Sequence, residues 1–176
     1  LLQKKLGDDY LVIEEGLNGR TTCFEDPLRE GLKGLDYISP CLRSHAPIDK
    51  LIIMLGTNDC KQYFSASASC IAQAMARLVK KAMDTECWGG KKPDILVIAP
   101  PHIREGLKEH PFYGSMGPDC FEKSRQLAAY YKLQCDALGV EFMDAQGVAE
   151  FNYSDCMHYS KLGHSQLAQT LYDRLK

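Results

Sequence analysis

Three short segments of this sequence carry residue types that do chemistry at close spacing. The first is Asp155-Cys156-Met157-His158. A carboxylate and an imidazole three residues apart on one turn can converge. The carboxylate then fixes the tautomer of the ring, and the other ring nitrogen faces a nucleophile. A solvated loop is the alternative. The second is Gly56-Thr57-Asn58-Asp59, directly after an apolar run. The Asn58 amide is suited to donate to an oxygen that gains negative charge during acyl transfer. An Asx turn or helix cap would use the same residues. Asp59 fits the cap better, because an anion beside an oxyanion would oppose it. The third is Gly16-Leu17-Asn18-Gly19-Arg20-Thr21-Thr22. Glycine there lets a backbone N–H come close to a ligand, or simply makes a strand-to-helix turn.

The elements around these segments alternate. Residues 10–14, 50–55, 94–99 and 140–143 read as strands. Leu51-Ile52-Ile53-Met54-Leu55 and Ile95-Leu96-Val97-Ile98 are continuous apolar runs, as in parallel strands covered on both faces. Helical spacing predicts a helix over 65–83, with Ile71, Met75, Leu78, Val79 and Ala82 on one face and serines available as caps. Two more helices are expected over 121–138 and 164–175, and a weaker one over 35–44, interrupted by Pro40. Alternating strands and helices predict an α/β domain with a parallel sheet. Each chemical segment follows a strand or precedes the last helix. The irregular stretch 100–117 follows a strand's C-terminal end, where open α/β sheets place their sites. It is expected to form a pocket wall or lid.

Composition narrows the function classes. The chain of 176 residues is 45% hydrophobic and 25% charged, with a net charge of -2, the profile of one globular domain. No basic run or basic-aromatic stripe is present, so nucleic acid is not an expected partner. No apolar stretch approaches the roughly 20 residues that span a bilayer, so no membrane partner is expected. Leu1-Leu2-Gln3-Lys4-Lys5 is too short an apolar run for a signal peptide, which points to a cytoplasmic location. The lack of an initiator Met leaves secretion open. The eight cysteines form no C-x-x-C pair, which disfavours a zinc ribbon or redox motif, and most are expected as buried thiols.

Taken in order, the three segments resemble the motif blocks of the SGNH-type, GDSL-like serine hydrolases. Val12-Ile13-Glu14-Glu15-Gly16-Leu17-Asn18-Gly19-Arg20-Thr21-Thr22 and Leu51 through Asp59 are similar to the arylesterase and acyltransferase branch. The resemblance covers nearly the whole chain. It implies a flavodoxin-like three-layer α/β/α sandwich whose sheet has five parallel strands in family members. It assigns Asp155 and His158 as the catalytic pair, and Gly19 and Asn58 as oxyanion-hole donors. It implies hydrolysis of short-chain acyl esters through a serine acyl-enzyme, with an alcohol competing with water as acceptor. No cofactor or metal is implied. The partner is a small-molecule ester, and self-association into a homo-oligomer is expected.

One departure matters. The family's first block, a Gly-Asp-Ser-Leu on the first, central strand, has no match here. Ser44, Ser65 and Ser154 lie in no such motif and in no G-x-S-x-G elbow. Leu1 to Leu6 reads as the end of the helix that follows that block. The expectation is an N-terminally incomplete domain over 1–176 with its first central strand absent, inactive alone for want of the nucleophilic serine. Two other readings stay open: an SGNH relative that binds esters or carbohydrates without turnover, and a flavodoxin-like binding module. The latter should carry a phosphate-cradling glycine loop, and none is present. Arg20 reads as a structural anchor. His45, His102 and His110 lack ligands at zinc spacing. Trp88, in a loop after a helix, is read either as surface cover or as an oligomer contact.

Overall fold

The apolar run near residue 95 becomes the best-covered strand of the protein. Every residue of Ile95–Ala99 is buried, as befits a strand with neighbours on both edges and helices on both faces. In the computed structural model, which describes residues 1–176, the elements run α1 (Leu2–Leu6), α2 (Gly34–Ser44), β1 (Leu51–Ile53), α3 (Ala68–Met83), β2 (Ile95–Ala99), α4 (Tyr113–Met116), α5 (Cys120–Leu138), β3 (Glu141–Asp144) and α6 (Lys161–Leu175). Short 3-10 turns follow β1 and β2. The sheet has three strands in the order β1-β2-β3, all parallel. Leu51 pairs with Ile95 and Leu96 with Glu141.

Alternation along β2 divides the core into two layers. Ile95, Val97 and Ala99 face α3 and α5, whereas Leu96 and Ile98 meet Met143, Ala145 and Tyr159 beneath Leu167 and Leu171 of α6. The result is an α/β/α sandwich with a parallel sheet. Helix α3 buries all five residues of its expected face. Its start is set by Ser67, whose hydroxyl accepts from the Cys70 N–H at 3.2 Å. Ser160 does the same for α6 through the Gly163 N–H at 3.0 Å.

Residues 10–14 are not a strand, contrary to expectation. A strand needs a neighbour to take its N–H and C=O groups. This segment is tied instead to α1, where the Gln3 amide donates to Tyr10 O at 2.8 Å and accepts from Val12 N–H at 2.7 Å. Leu11 is 83% exposed. Opposite it, across a cavity of about 910 Å³, stands the edge of β1 that β2 does not occupy.

The stretch 100–117 is largely cover rather than lid. Pro100 and Pro101 line the cavity, but the turn Glu105–Glu109 and α4 drive Leu107 and Met116 into the core behind Ile103. Trp88 is neither surface cover nor an outward contact. It is buried, and its indole N–H donates to Ala82 O at 3.1 Å at the end of α3. Five of the eight cysteines are buried free thiols; Cys23 and Cys41 are half-buried and Cys70 is exposed. No helix is long and apolar enough to cross a membrane.

Candidate active site

The loop before α6 holds the carboxylate–imidazole pair. Asp155 Oδ2 lies 3.0 Å from His158 Nδ1. Its Oδ1 accepts from the Met157 and His158 N–H groups, both at 3.0 Å. Burial pushes the Asp155 carboxyl up, but these N–H groups and the ring together hold it below its ordinary value. The loop is pinned at both ends. Asn152 N–H donates to His158 O at 2.8 Å, Arg104 N–H to Cys156 O at 3.0 Å, and Phe151 bridges Tyr159. Cys156 adopts φ 58° to make the turn. The carboxylate is thus largely sheltered, while the imidazole is 60% exposed and lines the cavity.

The other two segments meet across that cavity. Asn58, in the turn after β1, donates one amide N–H to Arg20 O at 3.3 Å. Gly19 has φ 87°, and a Cβ there would press on Arg29 Nη2 at 2.9 Å and Leu32 Cδ1 at 3.1 Å. Its N–H makes no hydrogen bond within the protein. Gly19, Asn58 and His158 line one cavity, with Asp155 behind the imidazole. Thr57 is its one aliphatic hydroxyl; no serine lines it.

Asp59 does not cap its own turn, as the sequence suggested. Its Oδ1 accepts from the Thr22 N–H at 2.9 Å and from the Thr22 hydroxyl, which bolts the Gly19 loop to the Asn58 loop. Burial pushes its carboxyl up to about 6, although the Thr22 bonds and, more weakly, the Lys61 charge act the other way. At Gly56, φ 127°, a Cβ would run into the Tyr131 hydroxyl, which donates to Leu55 O at 3.0 Å.

A polar cluster that spacing did not reveal lies further along the same cavity. Arg20 is only 9% exposed, and its guanidinium stacks 4.1 Å from the Tyr37 ring centre. The Tyr37 hydroxyl donates to Glu15 at 2.6 Å, and Glu15 also bonds His45 Nε2 at 2.6 Å. The Glu15 bond pushes the Tyr37 hydroxyl up to about 12. Ligand atoms of Glu15, Cys41 and His45 fall within 4.8 Å of one another. Cys41 lies in the last turn of α2 and His45 just past its end, a four-residue spacing visible in the sequence, but Glu15 is remote. The Arg20 charge acts on both Glu15 and Cys41 and opposes a cation there.

Comparison with known proteins bears on this geometry. Residues 1–166 match the GDSL-like lipase/acylhydrolase family. No curated protein matches the sequence. Among solved structures, Est24, a carbohydrate acetylesterase from Sinorhizobium meliloti, is 36% identical with a TM-score of 0.90, covering 99% of this chain and 81% of that one. The native M. smegmatis aryl esterase is 33% identical, with the same TM-score and the same coverages. The structure of a putative arylesterase from Agrobacterium tumefaciens is 31% identical with a TM-score of 0.86, over 99% and 83%.

Proposed function

The chain belongs to the GDSL-like lipase/acylhydrolase family, a family of ester hydrolases, and from that premise we propose that it cleaves short-chain acyl esters of carbohydrate or aryl alcohols through a serine acyl-enzyme. The observation that carries the reading is the convergence of His158, backed by Asp155, with Asn58 and the unbonded Gly19 N–H on one cavity.

The chemistry runs as follows. A serine hydroxyl attacks the ester carbonyl while His158 Nε2 takes its proton. Asp155 holds the tautomer and stabilises the imidazolium. The Gly19 N–H and the second Asn58 amide N–H receive the charge on the tetrahedral oxygen. His158 then protonates the departing alcohol. Water repeats the sequence on the acyl-serine and releases the acid; an alcohol in its place gives acyl transfer. The substrate class rests on the acetylesterase and arylesterase relatives.

Because no serine of these 176 residues borders the cavity, the nucleophile in this reading comes from a segment outside them, and the span alone is inactive. The test is an aryl acetate assay of the isolated span, with and without a peptide carrying an apolar strand that ends in Gly-Asp-Ser-Leu. Turnover is expected only with the peptide, lost with His158→Ala, and trapped by a fluorophosphonate on the peptide serine. A phosphonyl adduct on one of the span's own serines would overturn the missing-nucleophile reading. No adduct under any condition would overturn serine catalysis.

A further inference from the structure

The loop that carries Asp155 and His158 is braced by a turn from another part of the chain. Phe151 and Tyr159 bridge at its base. The hydrogen bonds of residues 152–158 stay within the loop, with one exception: Arg104 N–H donates to Cys156 O at 3.0 Å. The residue that accepts it has φ 58°, a conformation uncommon outside glycine. Its thiol folds back to donate to Tyr153 O at 3.4 Å.

The turn Glu105–Glu109 is shaped to receive that thiol. A Cβ on Gly106 would stand 2.8 Å from Cys156 Sγ. Gly106 does not use the left-handed freedom of glycine, since its φ is not positive. What the missing side chain provides is room for the sulfur. Beside it, the Arg104 guanidinium lies 4.4 Å from the Phe151 ring centre and 5.3 Å from that of Tyr153. The turn is itself fixed from behind. Ile103 and Leu107 are buried, and the Ile103 N–H donates to the buried Ser124 hydroxyl of α5 at 3.0 Å. A line of firm contacts thus runs from α5 through Ser124, Ile103 and Arg104 to Cys156, the neighbour of Asp155.

We infer that this socket positions the proposed acid–base pair. Gly106 seats the Cys156 thiol, Arg104 clamps the two aromatic rings near the loop's base, and together they hold His158 where Asp155 can orient its ring. The inference rests on the proposed function only in taking His158 as the proton carrier. Neither Gly106 nor Arg104 lines the cavity, so both act through the loop, as positioning residues.

Two readouts test this. One is aryl acetate turnover by the chain complemented with the serine-bearing peptide. The other is the Asp155 carboxyl carbon of the 176-residue chain alone, followed by NMR as pH falls. In the parent its midpoint should lie below the ordinary value, because the Met157 and His158 N–H groups converge on the carboxylate. Gly106→Ala drives a methyl group against the sulfur. It should cut kcat at least tenfold with KM nearly unchanged, and move the Asp155 midpoint back up towards its ordinary value. Adding Cys156→Ala exchanges the sulfur for that methyl group and should restore both readouts. Arg104→Met and Tyr153→Leu each open the clamp and should move Asp155 the same way by less. Tyr153 is exposed, and Tyr153→Leu alters no charge, so it keeps the test decisive even if Gly106→Ala folds poorly. A folded Gly106→Ala chain with both readouts at parent values would overturn the inference. So would a loss that Cys156→Ala does not relieve, or a Tyr153→Leu chain whose Asp155 titrates as in the parent. The expected Asp155 shifts without turnover in any protein, parent included, would sink the serine mechanism and leave the socket standing; full turnover in Gly106→Ala and Tyr153→Leu would do the reverse.

Discussion

Two cations are buried in loops beyond the C-terminal end of β1, and they are treated oppositely. Lys61, 5% exposed, meets Asp26 at 3.1 Å, and the same carboxylate accepts from Tyr63 at 2.9 Å. Burial alone would raise the Asp26 carboxyl, yet the Leu28 N–H, Lys61 and Tyr63 bring it below its ordinary value. Arg20, buried to a similar degree, has a tyrosine face and no acceptor for two of its nitrogens. The difference follows the sheet. Lys61 sits in the turns after β1, where the buried Asp26 carboxylate is within reach. Arg20 sits beside the open edge of β1. A finished region can be judged by what breaks when a partner is removed; an open one must be judged by what it gains when a partner arrives.

The strongest way to press on the open half is through its chemistry. In the span complemented by a serine-bearing strand, His158→Ala should lower aryl acetate turnover by several orders of magnitude, since the proton path is lost. Retention of more than a tenth of the activity would remove His158 from the mechanism. The closed half should answer in stability instead. Asp26→Ala leaves Lys61 buried and alone, and should cost about 3–5 kcal/mol in urea unfolding. Asn58→Ala comes next. It should cost on the order of a hundredfold in maximal rate with little change in the Michaelis constant, because the amide acts on charge that forms in the transition state. A change confined to the Michaelis constant would make Asn58 a binding residue. Arg20→Met should be the mildest of these: with no acceptor to orphan, it should alter the stability of the uncomplemented chain by only about 1 kcal/mol, the worth of its contact with Tyr37. A loss as large as that of Asp26→Ala would show that Arg20 is already satisfied and dissolve the contrast between the two cations.

Much of this was legible in the sequence, for a physical reason. Ile95–Ala99 is buried on both faces, so its run of apolar residues identifies it without reference to anything else. The face of α3 and the serine caps of α3 and α6 are equally local signals. The Asp155–His158 pair could be read because both partners lie on one turn. Residues 10–14 carry strand-like side chains, but a strand exists only with a neighbour, and no local pattern reports whether the neighbour is there. The partners of Arg20, Glu15 and Asp59 lie 17 to 37 residues away or are missing. Burial without a partner is a property of packing, and a sequence shows residue types rather than their surroundings. Asp59 fits a cap by local pattern alone, whereas its partner Thr22 belongs to another loop.

Asp59 and Asp155 provide the finest test, because the same residue type should respond to pH with opposite sign. Asp155 is held below its ordinary value of 3.8. As pH falls through the acid range, the unfolded chain takes up that proton before the folded one, so the pair's stabilisation is present above about pH 4 and is lost below it. Asp59 is raised from 3.8 to about 6. Between those values the unfolded chain has released its proton while the folded one still holds it. Stability from this group therefore falls as pH rises from about 4 to 6 and is flat beyond. Asp59→Asn keeps an oxygen that can accept from Thr22 and removes the titration. Chemical denaturation of the two proteins from pH 4 to 7 should show the variant gaining on the parent through that window, with their difference levelling near neutrality. Asp155→Asn should leave that window unchanged and flatten only the acid limb. If Asp59→Asn instead lost ground as pH rose, the carboxylate would have to be stabilised in its ionised form. The Thr22 bonds and the Lys61 charge would then outweigh burial, and the desolvation account of Asp59 would fail.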